Sequence, residues 1–199
     1  MAYSNFSLKL AVEQFKLSVT RCDLFSDITA IEPSLYLLET LNISKDFFLI
    51  SEKERSELLV MPILLDLKRA KKNEFSLYSG AFLDADPSQG LNGECDFILS
   101  KGKQSVYVEA PIFCLVEAKK NDIDQSIGQC VAQMLGSMIY NQKEGKSNSH
   151  IYGCVTTGTD WQFLKLEQQQ LSIHNQLYFI NDVPQLLGVL NFIVNEFSS

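Results

Sequence analysis

A chain of 199 residues is long enough for one well-cored domain and short for two, and its 46% hydrophobic and 21% charged residues exclude disordered and fibrous classes. The formal net charge of −7 excludes indiscriminate clinging to nucleic acid, though not a local basic groove. No uncharged apolar run approaches the roughly 18 to 20 residues needed to cross a bilayer, and Glu13 interrupts the stretch where a signal peptide would be apolar, so a cytoplasmic protein with no membrane partner is expected.

The first fifty residues, with segments at Phe6–Val19 and Pro33–Leu41, mix helical and strand patterns and are assigned to a peripheral N-terminal layer. Ser51 and Glu54 have capping-box spacing, and Leu58, Met61, Leu64 and Leu65 continue at helical periodicity. The spacing predicts a helix over Ser51–Lys72, perturbed near Pro62. Glu57 lies four and seven positions before Met61 and Leu64, beside the apolar stripe, where a carboxylate needs a partner.

Strands are expected at Phe75–Leu83, Gly93–Ser100, Val106–Glu109 and Ile112–Lys119, with Gly90, Gly102 and Pro111 as punctuation. Asn121–Gln142 reads as a helix capped by Asn121 or Asp122, with Ile127, Val131, Leu135 and Met138 along one side. Gln125, Gln129 and Gln133 form a polar stripe on it that could face either water or a site. Strands then follow at Ile151–Thr156, Trp161–Leu166, Leu171–Ile173 and Leu177–Ile180, and an amphipathic helix at Val183–Phe197 closes the chain. The order predicts an α/β domain: a central mixed sheet flanked by helices on both faces. Ile112–Val116, apolar on both alternating faces, is its central strand.

Charge enters that strand where it ends. In PIFCLVEAKK, the two-residue period puts Glu117 and Lys119 on one face. Upstream, GECDFIL puts Glu94, Asp96 and Ile98 on one face and Cys95, Phe97 and Leu99 on the other, so Asp96 is a carboxylate inside an apolar strand. Two converging carboxylates repel, and a bound Mg²⁺ relieves the repulsion while keeping waters and substrate phosphate as further ligands. Spacing alone is weak, since Glu144 to Lys146 and Asp66 to Lys68 match too. Context separates Glu117 and Lys119: a buried strand end, an upstream strand acid and a following helix.

GECDFIL, then VEAKK, then a Gln-bearing helix, preceded by a helix with Glu57, resembles the PD-(D/E)xK nuclease superfamily over about residues 51–156. The resemblance implies a restriction endonuclease-like core, Asp96 and Glu117 as metal ligands, Lys119 as the catalytic lysine and Glu57 as the helix acid. It implies Mg²⁺, with Mn²⁺ as a substitute, and a nuclease acting on nucleic acid, DNA before RNA. Gln129 and Gln133 are carried as further candidates on the helix after the Glu-x-Lys strand. Cys95 stands where the family often has Pro, and the interval from Asp96 to Glu117 is long.

On this reading residues 1–199 form a single nuclease-like domain, with 157–199 adding strands and the C-terminal helix. The alternatives are a catalytically inactive binding or assembly module on the same fold, and a solvated Glu117–Lys119 ion pair. A small-molecule enzyme lacks a glycine-rich phosphate loop or nucleophile elbow. One site per chain implies a homodimer, or two visits, if duplexes are cut. Elsewhere, five scattered Cys read as buried thiols, Trp161 as a core residue, and His150 and His174 show no catalytic spacing. The basic clusters Lys68–Lys72, Lys101–Lys103 and Lys143–Lys146 read as solvated faces.

Overall fold

The computed structural model describes residues 2–72, 74–120 and 123–198. Eight strands form one mixed sheet: β1 (Ser18–Cys22), β2 (Phe75–Phe82), β3 (Glu94–Lys101), β4 (Ile112–Ala118), β5 (His150–Thr156), β6 (Asp160–Glu167), β7 (Gln170–His174) and β8 (Tyr178–Phe179). The order is β1-β7-β6-β5-β4-β3-β2, with β8 paired to β6 off that path. The pairs β4–β5 and β1–β7 are parallel and the others antiparallel. Helices α1 (Leu8–Phe15) and α5 (Ile123–Lys143) contribute to the core on one face. Helices α2 (Leu35–Ser44), α4 (Met61–Lys71) and α6 (Val183–Ser198) contribute to it on the other.

β4 is buried along its whole length, as its two-faced apolar pattern requires. Each face has its own core: Ile98, Leu115, Ile151 and Leu164 pack with α5, while Phe97, Val116, Cys154 and Phe163 pack with α4 and α6. The N-terminal residues are less peripheral than expected. Tyr3, Phe6 and Ala11 are buried under α5, and β1 extends the sheet. At Gly128 of α5 an added Cβ would lie 2.2 Å from the Ser7 carbonyl carbon, so only glycine admits this N-terminal crossing.

The Ser51 capping box forms as predicted, with Glu54 N–H donating to Ser51 Oγ at 3.0 Å and Ser51 N–H to Glu54 Oε2 at 3.1 Å. The helix it opens is not uniform. A short turn α3 (Glu52–Arg55) passes through a π-helical segment, Ser56–Val60, before α4, and Pro62 stands at the start of α4. Pro62 has no N–H to donate, and the wider π turn absorbs the mismatch just before it.

Val106–Glu109 is not a strand, contrary to the sequence pattern. It lies between β3 and β4, which pair directly with each other and leave no place for a strand between them, and Val106 stands 92% exposed. The expected cap of α5 at Asn121 or Asp122 falls outside the described residues.

Candidate active site

The site is built at the C-terminal end of β4. Its last acidic residue, Glu117, is 1% exposed and lies beneath α5. Gln133 Nε2 donates to Glu117 Oε2 at 2.7 Å, Gln129 Nε2 donates to Oε1, and Lys119 Nζ lies 2.7 Å from Oε1. Gln129 and Gln133 therefore face inward, one helical turn apart, and grip one carboxylate between them. The stripe continues inward beyond the sequence reading: Ser137 is buried, and Asn141 exchanges two 2.7 Å hydrogen bonds with the backbone of Ile112, at the other end of β4.

Asp96 reaches the same strand end from β3. β3 and β4 pair as Phe97↔Val116, and continuing that antiparallel register by one residue sets Asp96 across from Glu117. The Ala118 N–H donates to Asp96 Oδ2 at 2.7 Å. Strand parity, however, is not the simple alternation expected. Phe97 belongs to the core beneath α4 and α6, yet Cys95 belongs to the one beneath α5. The ladder pairs Ser79↔Phe97 and Ala81↔Cys95, and Gly80 between them has φ 61°, a left-handed turn that reorients both strands beside Asp96.

Of the helix acids, Glu52 is the one that contacts the lysine, its Oε1 lying 3.5 Å from Lys119 Nζ. Glu57 lines the same cleft of about 410 Å³ as Asp96, Glu52 and Glu94, but its side chain is 63% exposed and pairs with Lys53 at 3.8 Å. The sequence reading assumed one uniform helix. Glu57 falls inside the π segment, where α-helical spacing no longer gives its direction, whereas the capping box pins Glu52 at the helix start.

Burial pushes the Glu117 carboxyl up to about 7, and the Asp96 charge adds to this; Lys119 and the Gln133 hydrogen bond oppose it without prevailing. Burial likewise raises Asp96, against the Ala118 N–H and Lys119. For Lys119 burial acts downward, but the Glu117 charge and hydrogen bond, then Glu52 and Asp96, outweigh it and hold the ammonium above its ordinary value. The outcome is a fixed cation between acids that burial makes reluctant to ionise together.

Carboxylate oxygens suit a hard cation, and Mg²⁺ takes one or two of them while keeping several waters. Asp96 and Glu117 offer such oxygens, both of Glu117's being engaged by Lys119, Gln129 and Gln133, and a cation there would oppose the forces that raise both groups. Among the described residues no group of three or more His, Cys, Asp or Glu is arranged to hold a metal ion.

Other candidates fall outside the site. Trp161 is buried with its indole N–H on the Gly158 carbonyl at 3.2 Å. Cys95, Cys114, Cys130 and Cys154 are buried free thiols, and Cys22 is half-buried. Lysines of the basic clusters also reach backbone carbonyls: half-buried Lys68 that of Phe75, and Lys143 and Lys146, exposed as expected, those of Ala85 at 2.6 Å and Ala110 at 3.2 Å. Compared with known proteins, the chain matches no family model and no curated sequence. Among the described residues no helix is long and apolar enough to cross a membrane.

Proposed function

We propose that this chain is a divalent-metal-dependent nuclease with a restriction endonuclease-like core, hydrolysing phosphodiester bonds of nucleic acid, DNA in preference to RNA. The observation that carries this reading is the buried Glu117 with Lys119 Nζ 2.7 Å from its Oε1, on the strand next to Asp96. A solvated ion pair is excluded by Glu117's burial, and a buried one gains little for stability by itself.

Asp96 and Glu117 would hold Mg²⁺ or Mn²⁺. Bound there, such an ion supplies Lewis-acid polarisation of a phosphodiester and a lowered pKa for a coordinated water. Gln129 and Gln133 orient the Glu117 carboxylate, and the Ala118 N–H orients Asp96. Lys119, held by Glu117 and Glu52, presents a preorganised positive charge to the phosphate and the attacking water.

A second reading has its own support. Both Glu117 oxygens are engaged by Lys119, Gln129 and Gln133, as in a self-contained polar cluster of an inactive binding or assembly module. The separating experiment is an assay of purified protein on single-stranded, duplex and branched DNA and on RNA, with Mg²⁺ or Mn²⁺. Cleavage that needs the ion and disappears in Lys119→Ala supports the nuclease; no cleavage of any substrate leaves the module.

A further inference from the structure

A large apolar concavity takes no part in the candidate site. It is a cleft of about 780 Å³ between α2, the segment after it and the start of α6, lined by Leu38, Leu41, Phe47, Leu49, Ile180 and Val183. Phe47 in its lining is partly exposed, and the chain positions next to lining residues carry further rings that the fold leaves in water: Phe48 at 94% exposure, between Phe47 and Leu49, and Phe179, before Ile180.

Two connections tie this surface to Lys119. Phe48 precedes Glu52, the acid 3.5 Å from Lys119, by four residues, which span at most about 14 Å. That upper limit equals about four base steps at 3.4 Å. Across the cleft, Thr159 in its wall is two residues from Thr157, whose carbonyl accepts from Arg55 Nη1 at 3.1 Å. Arg55 sits one turn beyond Glu52, and its buried Nε has no hydrogen-bond partner among the described residues.

Charge decides which nucleic acid suits such a surface. The site cleft is acidic, with Glu52, Glu57, Glu94 and Asp96 in its lining against the single cation Lys53. At the cleft itself such a lining gives little counter-charge to two phosphate backbones, on which duplex affinity depends. Exposed rings bind bases by their faces, which a duplex hides in its own stack and a single strand presents.

We propose that the substrate is single-stranded, or locally unpaired, nucleic acid whose bases stack on Phe48 and the neighbouring rings while its backbone passes Arg55 to Lys119. This rests on the nuclease reading and narrows its substrate. Fluorescence anisotropy in Mg²⁺ with Lys119→Ala, which holds substrate uncut, compares a labelled 12-nucleotide single strand with its duplex. The single strand binds at least about tenfold more tightly, and adding Phe48→Ala weakens it about tenfold without changing duplex binding. Phe48 is exposed, so its replacement leaves the fold intact, and Val106→Ala, at the β3–β4 connection, changes neither affinity. Equal or tighter duplex binding, an inert Phe48→Ala, or a wild-type dimer that Phe48→Ala dissociates overturns the proposal. Wild-type cleavage confined to duplex refutes it while sparing the nuclease; no binding or cleavage of either form refutes both.

Discussion

The two ends of β4 meet the same helix and the same polar stripe, yet the stripe does different work at each. At the Ile112 end, Asn141 satisfies a backbone N–H and C=O, partners that have no charge to change. At the Glu117 end, Gln129 and Gln133 hold a carboxylate that burial raises to about 7. A polar side chain against backbone is a staple; the same kind of side chain against a buried acid sets the acid's direction and charge. The contrast separates what holds this strand from what it presents.

The largest effect tests that separation at the functional end. Lys119→Ala lowers metal-dependent cleavage by about 10³-fold, the scale of losing one preorganised charge, while the protein stays folded with a lowered thermal midpoint, because buried Glu117 loses its cation. Single-turnover assays and calorimetry read the two quantities. A midpoint that collapses together with activity makes Lys119 a structural ion pair.

Asn141→Ala attacks the other end. It strands the Ile112 N–H in the core, whereas the Ile112 carbonyl keeps Asn148 Nδ2 at 3.0 Å, and the expected cost is about 3 kcal/mol in urea unfolding. Specific activity of the folded fraction stays unchanged. Loss of activity at unaltered stability dissolves the distinction between the ends.

A smaller effect comes from Gln133→Leu, which removes a donor to Glu117 Oε2 and costs about 1 to 2 kcal/mol. Without that donor the charged carboxylate is less favoured, so the acidic limb of the pH–activity profile moves to higher pH. A profile that does not move assigns Gln133 to packing alone.

A pH dependence of stability without metal is also expected. Glu117 is raised from 4.5 to about 7 in the folded protein, so the native state binds the extra proton between those values. Its contribution is full below about 4.5 and declines as pH rises toward 7, so the melting temperature falls across that window. Glu117→Gln flattens the fall. A wild-type curve as flat as the variant's means Glu117 titrates as an ordinary acid.

Much of this was legible in the chain. The unbroken apolar run of Ile112–Val116 gave the central strand, the Ser51 and Glu54 pair gave the start of a helix, and Trp161 read as core. The four-residue spacing of Gln125, Gln129 and Gln133 exposed a stripe but not its direction, because spacing is identical on the wet and buried faces of a helix. That Ser137 and Asn141 continue it became visible only with β4 beneath them. Glu52 was hidden because a first-turn acid is common at any helix start, and Glu57 was favoured on a regular spacing that the π segment interrupts. Strand alternation missed the reorientation at Asp96 because its cause, Gly80 at φ 61°, lies on the neighbouring strand. Val106–Glu109 has strand-forming residues but joins two strands that pair directly with each other, which local propensity does not register.

The central claim is that Asp96 and Glu117 hold a cation and Lys119 acts beside it. Calorimetric titration of Mn²⁺ at pH 7.5 into wild type, Asp96→Ala, Glu117→Ala and Lys119→Ala tests it most directly. The account predicts saturable binding of one ion by wild type and Lys119→Ala, weakened at least about tenfold in both carboxylate variants. No saturable binding by wild type, or binding that survives Asp96→Ala and Glu117→Ala undiminished, contradicts it.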